Sequence, residues 1–572
     1  MIKSFYFVSL FSLATFSLFG QSIVHKELLG RPTDHSITVQ AFFDTTVQAA
    51  VQYGLNTGVY TSQTPWQTFS SIEPTEILVD GLNANTPYVY RLIYRLPGET
   101  NFTARPEYTF QTQRAVGSEF TFIVQADPHL DASSDTALYS LCLKNQLEDN
   151  PDFMIDLGDF LMSDKLRAPG NVIPHDTVPF RCHVLRSFYE KQSHSVPLFN
   201  VLGNHEGETG WYQNGTSENV AIWSTIERKK YFVNPSPDGF YSGDTASYPF
   251  VGKRESYYSW TWGDALFIVI DPYWFTAPKP DSLHGWRWTL GEAQYNWLRN
   301  TLESSNSKFK FIFSHQIVGG DAEGRGGSEA SEQYEWGGNN LDGSPGFAQN
   351  RPGWYKPIRD LLAENRVNIF FHGHDHFFGK QERNCLIYQE TPQPSLPNFQ
   401  TANMAAEYGY FEGQILPNAG HLRVTVNGDG VQVDYVRVYL PQNENGNRHN
   451  KDVSATYYIG ANNCYDSLIT STPIVWNSNY SDELIYPNPF VKETKIEFLV
   501  KQSERTHLEI RNDKGQIIRK LIDNTLLNKG KFEVMWDGND ANGNKVSTGI
   551  YFYTIQGEIS GSKSGKIILN NE

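Results

Sequence analysis

The stretch Phe120-Thr121-Phe122-Ile123-Val124-Gln125-Ala126-Asp127-Pro128-His129 joins a nearly continuous apolar run to a carboxylate and an imidazole. An apolar run of this kind is typical of a strand that is covered on both faces. Similar runs lie at residues 153–157, 197–202, 265–270, 309–313 and 367–371, with helical patterns between them. The alternation predicts a layered α/β domain over residues 117–440, in which a sandwich of β-sheets is flanked by helices.

A short polar motif closes five of these six runs. The motifs are Asp127-Pro128-His129, Gly158-Asp159, Gly203-Asn204-His205-Glu206, Ser314-His315 and Gly373-His374-Asp375-His376. We expect them to meet in space, because ligands of open α/β sheets bind beyond the carboxyl ends of the strands. Carboxylates, an amide oxygen and imidazoles are the ligands that two adjacent divalent cations need. Each motif alone is usually a turn or a hydrogen-bonded histidine, but the ordered set indicates an enzyme.

Residues 23–115 have the pattern of a β-sandwich, in which short strand-forming runs are broken by Gly, Asn and Pro turns. The segment 77–92 resembles the tyrosine-corner region of fibronectin type III modules, with Leu82 and Tyr88 in the key places. This region lacks clustered histidines or carboxylates, so we expect it to have a structural role.

The five motifs together resemble the sequence blocks of the calcineurin-like metallophosphoesterase superfamily. With the preceding fibronectin-like module, the arrangement is similar to that of purple acid phosphatases, over roughly residues 25–440. The resemblance implies a ligand set in which Asp159 bridges two metals, Asp127, His129 and His376 bind the first, and Asn204, His315 and His374 bind the second. It also implies that His205 lies beside the scissile phosphate and protonates the leaving oxygen. Asp375 is expected to point away from the metals.

One departure from the purple branch concerns the metal. That branch has Gly-Asp-x-x-Tyr, whose tyrosine binds ferric iron, whereas Phe160, Leu161 and Met162 follow Asp159 here. His129 would supply the additional ligand of the first metal instead. Two divalent ions are therefore expected, and zinc, manganese and ferrous iron all suit the ligand set.

The expected reaction is hydrolysis of phosphate monoesters on small molecules. Two cations that share a water lower its pKa, and the resulting metal-activated hydroxide attacks phosphorus in line with the leaving oxygen. A phosphodiesterase or nucleotidase on the same centre is the alternative, because both use the same attack. A cell-surface binding protein with an inactive centre is a third interpretation, although every ligand position holds a competent residue.

A long glycine-rich stretch, residues 319–353, shows no strand pattern and follows the motif at His315. A structureless loop of that size beside an active site is usually functional. It predicts a lid in which Arg325 or Arg351 contacts the substrate phosphate with two hydrogen bonds. The alternative is a surface insertion with a solvated mixture of charges.

Composition and the N-terminus bear on location and partners. The formal net charge is −16 and no run is dense in Lys or Arg, so nucleic acid is not expected as a partner. Residues 1–20 have the pattern of a secretory signal peptide, with Lys3 before an apolar stretch that is too short to span a bilayer. We expect export through the periplasm to the cell surface or medium, with no stable membrane span.

Cysteine usage leaves two alternatives. Cys142, Cys182, Cys385 and Cys464 have neither Cys-x-x-Cys nor zinc-finger spacing. One or two disulfides fit an oxidising compartment, and buried free thiols fit equally well.

The composition shifts after residue 440. Residues 441–482 begin with a polar run that predicts a linker, and strand patterns return over residues 483–572 as a C-terminal β-sandwich. This last region resembles the sorting domains of type IX secretion cargo in Bacteroidetes, on the basis of the segments 486–490, 536–540 and 548–553. The resemblance implies the type IX secretion machinery as a partner. A plain accessory sandwich is the alternative.

Overall fold

The computed structural model describes residues 23–169, 171–321, 323–460, 484–486, 488, 490–500, 503–512, 516–557 and 561–570. The expected signal peptide, residues 1–20, lies outside the described residues, as does the part of the expected linker from 461 to 482.

The N-terminal region is a β-sandwich. Its strands are β1 (Ile23–Gly30), β2 (Ile37–Phe43), β3 (Val47–Gly54), β4 (Ser62–Gln63), β5 (Gln67–Phe69), β6 (Thr75–Val79), β7 (Pro87–Arg95), β8 (Thr103–Ala104) and β9 (Tyr108–Gln111). One sheet has the order β1-β2-β6 and the other the order β4-β3-β7-β8, with β5 on β3 and β9 on β7. Leu82 and Tyr88 are buried, and the Tyr88 hydroxyl accepts a hydrogen bond from the Asn83 amide at 2.9 Å.

The central region contains two larger sheets. Its strands are β10 (Phe120–Gln125), β11 (Phe153–Asp156), β12 (Leu198–Asn200), β13 (Ser242–Gly243), β14 (Tyr258–Trp262), β15 (Ala265–Val269), β16 (Phe309–Phe313), β17 (Ile369–His372), β18 (Phe378–Arg383), β19 (Leu386–Glu390), β20 (Gln414–Leu416), β21 (Gly420–Val426), β22 (Gly430–Arg437) and β23 (Val453–Gly460). The orders are β12-β11-β10-β21-β22-β23 and β13-β14-β15-β16-β17-β19-β18-β20. Strands β10, β11 and β12 are parallel, as are β15, β16, β17 and β19.

Helices cover the outer faces of these sheets. They are α1 (Thr136–Glu148), α2 (Thr177–Tyr189), α3 (Val220–Tyr231), α4 (Glu292–Ser304), α5 (Tyr334–Gly337), α6 (Phe347–Asn350), α7 (Ile358–Glu364) and α8 (Met404–Glu407). Aromatic and aliphatic side chains of both sheets form one core between them. A second core joins α1, α2 and α3 to the first sheet, and a third joins α4 and α7 to the second. The parallel strands are apolar on both faces because each face is covered.

The first sheet extends past residue 440. Strand β23 pairs antiparallel with β22, from Gly430 opposite Gly460 to Val436 opposite Val453. The prediction of a linker is therefore wrong for residues 453–460, which contribute Ala455 and Ile459 to the central core. The polar run that precedes β23 is a surface connection between neighbouring strands.

The C-terminal region is a second β-sandwich. Its strands are β24 (Leu484–Tyr486), β25 (Thr494–Val500), β26 (Glu504–Arg511), β27 (Ile517–Leu527), β28 (Gly530–Trp536), β29 (Gly549–Gly557) and β30 (Gly561–Leu569). They form sheets of order β24-β25-β28 and β27-β26-β29-β30. This sandwich contacts the central region, because the Phe552 ring stacks on Phe411 with centroids 5.5 Å apart. A layered α/β centre between two β-sandwiches confirms the predicted fold class.

Two further sequence questions are answered by the described residues. Cys142 and Cys182 are buried free thiols, whereas Cys385 is in a disulfide, so both cysteine alternatives hold in part.

Among the residues described, none of the helices is long and apolar enough to cross a membrane.

Candidate metal centre

The ligand motifs converge because parallel strands from both sheets end at one edge of the domain. In the first sheet, Gln125 lies opposite Asp156, and Asp156 lies opposite Asn200, so β10, β11 and β12 end in register. In the second sheet, β16 and β17 end together in the same way, with Phe313 opposite Phe371. The loops after these five strands hold the seven predicted ligands.

The first cluster consists of Asp127, His129 and His376. The Oδ1 atom of Asp127 lies 3.3 Å from Nε2 of His376 and 3.5 Å from Nε2 of His129. The other carboxylate oxygen of Asp127 accepts the backbone amide of His374 at 2.9 Å, which fixes the carboxylate. These are the three side chains expected at the first metal.

The second cluster consists of Asp159, His315 and His374. Nε2 of His315 lies 3.2 Å from Oδ2 of Asp159 and 3.1 Å from Nδ1 of His374. The same Asp159 oxygen lies 3.8 Å from Nε2 of His129 in the first cluster. Asp159 thus lies between the two groups, where a bridging ligand must be.

The imidazoles are oriented by their second nitrogens. Nδ1 of His315 donates to the carbonyl of Leu157 at 3.0 Å, and Nε2 of His374 donates to the carbonyl of Glu323 at 3.1 Å. Their remaining nitrogens, Nε2 of His315 and Nδ1 of His374, face each other at 3.1 Å. Metal-binding histidines are oriented in this way by a hydrogen bond from the distal nitrogen.

Unpartnered atoms show that the residues fit a metal pair. Within the described residues, the buried atoms Asp127 Oδ1, His129 Nε2 and Asn204 Oδ1 have no hydrogen-bond partner. A buried polar atom left without a partner costs about 1–3 kcal/mol. All three belong to the predicted ligand set, so bound cations would satisfy the atoms that the protein leaves open. The amide of Asn204 lies at the site, because its nitrogen is 3.2 Å from Nε2 of His205, which is itself 4.0 Å from Oδ2 of Asp159.

The electrostatics also favour cations. Burial opposes protonation of His315, but the carboxylates of Asp159 and Asp127 outweigh it and raise the pKa of His315 to about 9. Burial opposes ionisation of Asp127, yet His315 and His376 hold its pKa well below the usual value. The site therefore concentrates negative charge that is offset by a proton when no cation is bound. Metal binding to such a site releases protons.

The loops are held in backbone conformations that non-glycine residues rarely adopt. Five predicted ligands have positive φ: Asp127 (57°), His129 (49°), Asp159 (56°), His374 (80°) and His376 (64°). Each costs about 1–3 kcal/mol and persists only where surrounding structure fixes it. Strain of this kind is concentrated at functional sites.

Two buried carboxylates fix these loops. Glu206 accepts the backbone amides of Asp159 at 2.9 Å, Phe160 at 2.7 Å and Leu161 at 3.0 Å, and it also accepts the amide of Gly203. Burial, with the charge of Asp159, raises the pKa of Glu206 to about 8.

Glu390 has the same function in the loop after β17. Its Oε1 accepts the amides of Asp375 at 3.1 Å and His376 at 3.2 Å, and its Oε2 lies 2.8 Å from Nδ1 of His372. Each carboxylate thus positions ligands without itself belonging to either cluster.

His205 lies at the rim of the site and is held by a carboxylate. Its Nδ1 donates to Oδ1 of Asp164 at 2.9 Å, while its Nε2 lies 4.0 Å from Oδ2 of Asp159. The other oxygen of Asp164 accepts the hydroxyl of Tyr212 at 3.3 Å. The imidazole therefore presents Nε2 toward the centre with its orientation fixed from behind. Asp164 was not predicted from the sequence.

Arg325 borders the second cluster. Its guanidinium donates from Nη1 to the carbonyl of His374 at 3.1 Å and to Oδ1 of Asp375 at 2.8 Å. Asp375 is buried and also accepts the amide of Gly326 and the hydroxyl of Tyr410. As expected, Asp375 is directed away from the ligand atoms, and it anchors Arg325 beside them.

Arg351 has a different environment from the one predicted. Its Nε donates to the buried carboxylate of Glu335 at 2.5 Å, and its Nη2 donates to the carbonyls of Trp286 at 2.8 Å and Trp288 at 3.0 Å. Because these contacts occupy the fork of the guanidinium, the predicted phosphate contact of Arg351 is wrong. The stretch 319–353 is also not structureless, since it contains α5, α6 and a short 3-10 helix, Ser328–Glu332.

Converging strand ends and this ligand set define a metal-dependent phosphoesterase domain. Residues 120–378 match the family model of calcineurin-like phosphoesterases, and residues 491–561 match that of the FlgD Ig-like domain. Residues 120–378 are therefore similar to calcineurin-like phosphoesterases. A search of curated proteins found no matching relative.

Two solved structures illustrate the likeness. A structure of PhoD has a TM-score of 0.54 at 15% identity and covers 77% of this chain and 90% of its own. A purple acid phosphatase, PPD1 from seeds of yellow lupin (Lupinus luteus), has a TM-score of 0.49 at 14% identity, with coverage of 76% and 74%. At this identity the PhoD likeness concerns the fold alone.

Proposed function

We propose that this protein is a secreted phosphatase that hydrolyses phosphate monoesters of small molecules with two divalent metal ions. The observation that carries the proposal is the pair of ligand clusters joined by Asp159, with buried acceptor atoms directed between them. Asp127, His129 and His376 would hold one ion, and Asn204, His315 and His374 the other. Zinc, manganese and ferrous iron all suit these ligands.

Bound ions of this kind supply a nucleophile from water and offset charge on the phosphate oxygens. The chain itself contributes position and proton transfer. Asp164 holds Nδ1 of His205, and Nε2 lies beside Asn204, where it would donate a proton to the leaving oxygen of an ester held at the centre. Arg325, fixed by Asp375, adds positive charge at the rim beside His374. A diester would lose one leaving group by the same attack, so the preference for monoesters is tested directly.

The test combines metal analysis with a pair of substrates. The protein is loaded with zinc or manganese and assayed with p-nitrophenyl phosphate and bis(p-nitrophenyl) phosphate. We expect two metal ions per chain and preferential turnover of the monoester. Preference for the diester would identify a phosphodiesterase, and absence of both turnover and metal would contradict the enzyme proposal.

Ligand variants sharpen the assignment. Asn204→Ala and His315→Ala should each lower metal content from two ions toward one and remove most turnover. His449→Ala is a matched control, because His449 is an exposed histidine that forms an ion pair with Asp452 and belongs to neither ligand cluster of the described residues. Full activity in either ligand variant would refute the assignment of the second metal.

We further propose that the chain is exported through the periplasm and sorted by the type IX secretion machinery. The apolar stretch near Lys3 and the motifs of segments 486–490, 536–540 and 548–553 support this proposal. A variant without residues 484–572 should remain in the periplasm. Its appearance in the medium at the level of the full chain would contradict sorting by this region.

A further inference from the structure

A cavity of about 440 Å³ lies beside the second ligand cluster. Its apolar surface comes mainly from Tyr334, Tyr408, Phe411 and Leu341. The charged residues of the lining are Asp321, Arg325, Glu329, Glu407 and Lys566. Arg325 and Gly326 form the side nearest the ligands. Cavities of about 300–1,000 Å³ with mainly apolar walls and a few polar groups are typical of small-molecule sites.

The cavity adjoins the metal centre at Arg325. Gly320 and Asp321 of its wall follow His315 by only a few residues, and Arg325 is bonded to the carbonyl of His374 at 3.1 Å. One side chain therefore separates the cavity from a ligand of the second cluster.

Tyr408 is ordered for stacking. The guanidinium of Arg325 lies 4.1 Å from the centroid of the Tyr408 ring, and Asp375 fixes that guanidinium at 2.8 Å. The attraction between the Arg325 guanidinium and the Tyr408 ring restricts the movement of that ring. Tyr408 itself is only half-buried, so its ring remains available to a ligand in the cavity.

We infer that this cavity binds the leaving group of the substrate and that it selects leaving groups that carry an aromatic ring. The inference rests on the proposed function, because it requires a phosphoester held at the adjacent centre. An aromatic ring in the cavity buries apolar surface against Leu341 and stacks on Tyr408, whereas a short alkyl group reaches neither. Tyr408 is a specificity-determining residue in this scheme and not a catalytic one.

The test uses the metal-loaded full chain and two non-hydrolysable probes, benzylphosphonate and methylphosphonate, measured by calorimetry. We expect benzylphosphonate to bind about tenfold more tightly. Tyr408→Ala should reduce that ratio about three- to tenfold, and Tyr408→Phe should retain it because the ring remains. Leu341→Ala should reduce the ratio as well, and its side chain is 63% exposed, so misfolding is not expected.

Tyr355→Ala is a matched control. The Arg299 guanidinium lies 4.1 Å from the Tyr355 ring, the same pairing as at Tyr408, but Tyr355 is not part of the cavity wall. Turnover of phenethyl phosphate and n-butyl phosphate, whose leaving groups are both primary alcohols, provides a parallel readout as the ratio of their kcat/KM values.

The outcomes separate the two claims. Turnover of both esters with equal affinity for the two phosphonates, or a ratio that Tyr408→Ala leaves unchanged, overturns the subsite and keeps the proposed function. If neither ester is hydrolysed by metal-loaded protein, the proposed function fails and the subsite fails with it.

Discussion

Replacing Asp164 with asparagine tests whether His205 delivers a proton to the leaving group. The carboxylate accepts a hydrogen bond from Nδ1 of His205 at 2.9 Å, and both side chains are mostly shielded from solvent. A hydrogen bond to a charged group contributes about 1.5–3 kcal/mol. Since about 1.4 kcal/mol corresponds to a tenfold change in rate, the variant should lower kcat by about 10- to 100-fold where proton donation limits the reaction.

The assay compares two leaving groups. n-Butyl phosphate releases an alkoxide that must be protonated, whereas p-nitrophenyl phosphate releases a stable phenolate. Asp164→Asn should therefore reduce kcat strongly for the first ester and weakly for the second, with KM and metal content unchanged. Tyr212→Phe is the control, because it removes the 3.3 Å hydrogen bond to the far oxygen of Asp164 and the one from Arg167, and it leaves the bond between Asp164 and His205 in place. Equal losses on both esters, or loss of metal, would refute the role assigned to His205.

Three further predictions concern the loops and the metals. Arg351→Met leaves the fully buried Glu335 without its cation, so we expect the fold to be destabilised by about 3–5 kcal/mol. The variant should have a lower Tm and an unchanged KM. A raised KM at constant Tm would restore the substrate role of Arg351. Gly203→Ala places a Cβ 2.3 Å from Oδ1 of Asp159, so we expect metal content and turnover to fall together; a variant with full metal would show that the loop can shift. Chelation of the metal ions with EDTA should abolish turnover and lower Tm. A ligand that is present at about 100 times its Kd stabilises the folded protein by about 2.7 kcal/mol. An unchanged Tm after verified metal removal would contradict a metal-stabilised centre.

The sequence predicts the fold class and the side chains that converge, because both depend on local patterns. Apolar runs identify buried strands, and a polar residue directly after such a run must lie at the edge of the sheet. Asp127 and His374 could be placed on this basis although 247 residues separate them. Their meeting follows from parallel strands that end together.

The remaining features depend on contacts that leave no local pattern. Asp164 and Glu390 act through hydrogen bonds to residues in other loops, so only the folded chain reveals their roles. The sequence predicts a phosphate contact for Arg351 because arginine binds phosphate with two hydrogen bonds, yet Glu335 lies 16 residues earlier and faces it. Glu206 belongs to the motif Gly203-Asn204-His205-Glu206, and its place directly after His205 is the feature of the sequence that points to its role.

The stacking of Phe552 on Phe411, together with Lys566 in the cavity wall, makes the C-terminal sandwich part of the surroundings of the proposed leaving-group cavity. If maturation removes that sandwich after export, the entrance widens while the metal ligands, all of which precede residue 377, keep their positions. Precursor and mature enzyme would then share one chemistry but differ in the range of esters they accept. Processing would act as a control of selectivity and leave catalytic power intact.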